Sequence, residues 1–63
     1  MNLIQLVERD HRVHSSAFRQ YMRKFLSEDD PALQRKYLNN ALLMAGAVQA
    51  DERRLAQMRE SIT

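Results

Sequence analysis

Glu8, Asp10, His11 and His14 crowd into the stretch ERDHRVH, and they are the residues of this chain best suited to chemistry. Glu8-x-x-His11 has the spacing that di-iron helical bundles use, and His14 adds another step of three. Residues three apart on a helix diverge by about 60°, so Glu8 and His14 diverge by about 120°. One helix therefore cannot aim all three at one ion. No metal and no cofactor is expected.

A polar layer is the better expectation. Asp51 interrupts an apolar row in the second half of the chain, and folding about residues 27–30 brings it within about one turn of His11. A His11–Asp51 pair would satisfy both groups and penalise slipped registers, as polar residues do in coiled coils. His14 is expected beside Ala45, Gly46 and Val48, with Asp10 also in reach. The layer of His11, His14 and Asp51 is a candidate pH switch. Acid that protonates Asp51 should weaken assembly, which urea midpoints taken across acid and neutral pH would show.

The elements that must position these side chains are helices. One Gly and one Pro leave little material for β turns. Ile4, Val7, His11, His14, Phe18, Tyr21 and Phe25 alternate spacings of three and four without a slip. Tyr37, Ala41, Met44, Val48, Asp51, Leu55, Met58 and Ile62 do the same. Each series is a heptad seam. The break between them is LSEDDPAL, where Asp30 suits an N-cap and Pro31 the first helical position. The spacing predicts one helical-hairpin domain over 1–63, with helices at about 3–26 and 31–61 and a turn at 27–30. The longer second helix should overhang at its far end, freeing Met58 and Ile62.

Apolar residues beside the seams widen each stripe beyond what one neighbour can cover. Leu3, Leu6, Val13 and Met22 in the first helix, with Leu38, Leu42, Ala45, Met58 and Ile62 in the second, are the candidate partner-binding residues. Gly46 in a helix interior costs about 1 kcal/mol relative to Ala, which suggests either close approach of another helix or simply a tolerated cost. A chain of 63 residues without Cys has no disulfide or thiolate-metal support, so partner association is the remaining route to a sufficient core. The expected architecture is all-α: a two-helix antiparallel hairpin completed as a four-helix bundle by dimerisation, or by a partner protein.

The net charge of +2 does not by itself imply nucleic acid. Arg9, Arg12, Arg19 and Arg23 nevertheless fall on the back of the first helix and are candidate contacts to nucleic acid or an acidic surface. No aromatic side chains interleave with them, as a nucleic-acid stacking surface would have. Ser15 and Ser16 lie near His14 without a Gly-rich elbow, so no catalytic residue is expected. No apolar run spans a membrane, and the N-terminus lacks the pattern of a signal peptide, so a cytoplasmic protein is expected. The function expected is a protein–protein interaction module, as adaptor, co-chaperone or inhibitor. The alternative is a dimeric RNA- or DNA-binding regulator that uses the arginine face.

Overall fold

The computed structural model describes residues 2–62 as two α-helices, α1 (Leu3–Ser27) and α2 (Pro31–Ile62), packed against each other. The start of α1 is fixed locally. Gln5 N–H donates to Asn2 Oδ1 at 2.9 Å, and Asn2 N–H donates to Gln5 Oε1 at 3.2 Å, so two otherwise orphan amides are satisfied reciprocally. At the other end Ser27 Oγ donates to the Arg23 carbonyl.

The turn is three residues, Glu28–Asp30, and bonds from Glu28 and Asp30 help to begin α2. Ala32 N–H donates to Asp30 Oδ1 at 3.0 Å, the N-cap bond that Asp30 before Pro31 predicts. Asp30 N–H donates to Glu28 Oε1, and the Gln34 amide ties back to the Glu28 carbonyl. Lys24 Nζ lies 5.7 Å from the ring centres of both Tyr21 and Tyr37, joining the helices across the turn end.

The core between the helices is thin. Among the described residues, Val7, Ala41 and Leu55 are the buried apolar side chains, and Asp51 is the buried charged one. The other described seam positions are half-buried. The molecule measures 49 × 18 × 11 Å, so it is one helix thick.

The axial register departs from the sequence expectation. His14 is level with Asp51, and carrying that pairing along both helices sets Ile4 level with Ser61 and Ser27 level with Leu38. The overhang therefore falls at the N-terminal turns of α2, beyond Ser27. Met58 lies beside Leu3 and Ile4 and is half-buried, not freed. The side chain of Ile62 is outside the described residues. The cause is the turn, where Glu28 is extended (φ −89°, ψ 133°) and α2 starts beyond the end of α1 before running back beside it.

Gly46 also departs from expectation. It is exposed, and nothing within 4 Å meets a Cβ built there, so no close approach of α1 requires it. Gly46→Ala should raise stability by about 1 kcal/mol, measured as the shift in urea midpoint at unchanged slope. A loss of stability would show that the open side of Gly46 is covered in the assembled protein.

Candidate interaction surface

The polar layer forms with different partners from those its sequence suggests. His14 Nδ1 is 2.6 Å from Asp51 Oδ2, and His11 Nε2 is 3.3 Å from Glu52 Oε1. The expected His11–Asp51 pair is absent because the turn displaces α2 along α1. An ionised carboxylate only accepts, so the His14 ring N–H donates to Asp51. Asp51 is 2% exposed, whereas the His14 side chain keeps a third of its surface in water. The His11–Glu52 contact lies near the surface and contributes little. No buried side-chain nitrogen or oxygen among the described residues lacks a partner. Nor do three or more His, Asp or Glu side chains there converge as a metal set.

The apolar residues outside the seam divide between two edges of the hairpin. One helical step before each seam residue lies the row Leu3, Leu6, Asp10, Val13, Ala17, Gln20, Lys24 in α1. In α2 the matching row is Lys36, Asn40, Leu43, Ala47, Ala50, Arg54, Gln57, Ser61. In an antiparallel pair these rows face the same way, since the same backward step turns both helices toward one edge. The shallow groove that Leu3 shares with Arg54, Gln57 and Ser61 agrees with this. Leu3 is 70% exposed, Leu43 66% and Val13 59%. We call this the leucine edge.

The opposite edge carries Glu8, Arg12, Ser15, Arg19, Met22 and Leu26 from α1. Leu38, Leu42, Ala45, Gln49, Glu52, Ala56 and Arg59 join them from α2. Two grooves there bring together Ser15, Arg19, Ala45, Gln49 and Glu52, and Glu8, Arg12, Ala56 and Arg59. Its apolar part is confined to the turn end, where Leu42 is 61% exposed and Met22 and Leu38 are half-buried. Eight of the nine candidate partner-binding residues have described side chains (all but Ile62), and these eight do not share one stripe. Leu3, Leu6 and Val13 belong to the leucine edge, Met22, Leu38, Leu42 and Ala45 to the other, and Met58 to the seam. Leu26, Leu33 and Leu43 are exposed too but were not among the nine candidates, although Leu43 is one of the apolar residues that widen the second helix's stripe in the sequence. Leu43 was recoverable from its place one step before Met44, and the other two from the offset of the helices.

Arg9, Arg12, Arg19 and Arg23 are all exposed, with no ion pair among the described residues, but they do not share one face as the sequence suggests: Arg9 and Arg23 lie on the side of α1 turned away from α2, while Arg12 and Arg19 line the grooves of the second edge. No helix among the described residues is long and apolar enough to cross a membrane. No protein family model, no curated protein and no solved structure matches the chain. Function must therefore be argued from these surfaces alone.

Proposed function

We propose that the chain is a non-catalytic, cytoplasmic protein–protein interaction module, an adaptor, co-chaperone or inhibitor, that completes its core by associating through its apolar edges. One observation carries this reading. Among the described residues, three apolar ones are buried between the helices, while seven large apolar side chains stand exposed. Single exposed leucines are ordinary, but exposed apolar side chains aligned along one edge mark an interaction site. A chain this small with so thin a core gains most of its remaining stabilisation by covering that edge.

Val13→Asp and Leu42→Asp test the reading, because both residues are exposed and neither helps hold α1 to α2. Native mass spectrometry of the unsubstituted chain should show species heavier than 7.4 kDa, and at least one substitution should return it to that mass. A chain that stays at 7.4 kDa and melts cooperatively at every concentration would end the proposal.

The second reading rests on the four arginines, which are exposed and make no ion pair among the described residues. Nucleic-acid binding through them would weaken steeply with salt. It would also disappear in Arg12→Ala and Arg19→Ala while helicity stays intact. The interaction reading expects these two variants to assemble normally.

A further inference from the structure

We infer that the leucine edge is covered by a second copy of this chain, with α1 of each copy lying antiparallel against α2 of the other and both turns at the same end. The inference rests on the interaction reading above and names its partner. Area is the first argument. A compact monomer of this mass exposes about 4,200 Å². The hairpin exposes 5005 Å². The difference, about 800 Å², is what one partner of a standard interface buries. A second copy of the same slab therefore removes the excess, with no larger protein needed.

Charge and size complementarity give the orientation. Asp10 and Arg54 are exposed on this edge, and neither has an ion pair among the described residues. Their levels almost coincide, since the register that joins His14 to Asp51 puts Asp10 opposite Leu55. A two-fold axis parallel to the helices brings α1 of one copy against α2 of the other at equal levels. Asp10 then meets Arg54 of the second copy, and the symmetry repeats the pair. Ala17 meets Ala47 of the second copy, and Val13 enters between its Ala50 and Arg54. Small residues at the centre let the backbones approach, as a bundle with interdigitating side chains needs. Every neighbouring pair of helices is then antiparallel.

The test uses the full chain. Sedimentation equilibrium should give a dimer. Asp10→Arg alone and Arg54→Asp alone should each weaken it by about tenfold, since each puts like charges across the interface twice. Mixing the two variants should restore the affinity, because each then supplies the charge the other lacks. Spin labels on Asp29→Cys, in a chain with no other Cys, should lie within about 20 Å of each other across the two adjacent turns. Turns at opposite ends would separate them by nearly the 49 Å length of the molecule and overturn the arrangement. Mixing that restores nothing would also overturn it. A concentration-independent monomer overturns the second copy as occupant. If that monomer is also fully helical and cooperative, the interaction reading falls with it; if it is only partly helical, another partner covers the edge.

Discussion

His14→Leu should cost more stability than any other single substitution in the hairpin, about 3–5 kcal/mol, because it strands the Asp51 carboxylate between the helices. Asp51 is 2% exposed, and among the described residues no other side chain is bonded to it. Its charge would be left without compensation, a burden comparable to the whole stability of a small domain. The reverse deletion should be milder. Asp51→Ala removes the buried charge itself, and the imidazole left behind already reaches water with a third of its surface. Its cost is that of a lost hydrogen bond and a small void, about 1–3 kcal/mol. Replacing both, His14→Leu with Asp51→Leu, should recover most of the loss, since an apolar pair of similar shape needs no partner. Urea unfolding of the three proteins at one concentration checks this ordering. Equal losses in the two single variants would mean that water reaches Asp51 in solution.

Leu55→Ala is the second large effect expected, about 2–5 kcal/mol. Leu55 is one of three buried apolar residues among those described, so the void it leaves has few neighbours able to move in. Leu43→Ala removes the same atoms from a side chain that is 66% exposed and should change the stability of the separate hairpin by less than about 0.5 kcal/mol. The contrast is informative about assembly. If the leucine edge is covered, Leu43→Ala should lower the melting temperature at high protein concentration and leave it unchanged at high dilution. Leu55→Ala should lower it at both. Thermal melts at two widely separated concentrations distinguish these outcomes.

The sequence made the helices and their facing seams legible, because unbroken steps of three and four have few other interpretations. The capping chemistry of Asp30 and Pro31 marked the start of α2 for the same reason: it acts within one turn of chain. Axial register was different. A shift of α2 along α1 by one seam step, three or four residues, still sets seam against seam, so the spacing alone does not choose between His11 and His14 as the partner of Asp51. The choice falls to three turn residues and to where the Gln34 amide anchors on Glu28. Edge exposure was misjudged for a related reason. A stripe read from composition has a width but no side, and only the antiparallel geometry separates Val13 from Leu42.

Lys24 between Tyr21 and Tyr37 has a spectroscopic consequence. The chain holds no Trp, so tyrosine emission is not masked, and both emitters sit at the turn end on different helices. Light absorbed there reports whether the two helices are joined at that end. Far-ultraviolet dichroism reports helix anywhere along the rod. Recorded together during unfolding, the two signals separate fraying of the free end from opening of the hinge, without adding a label.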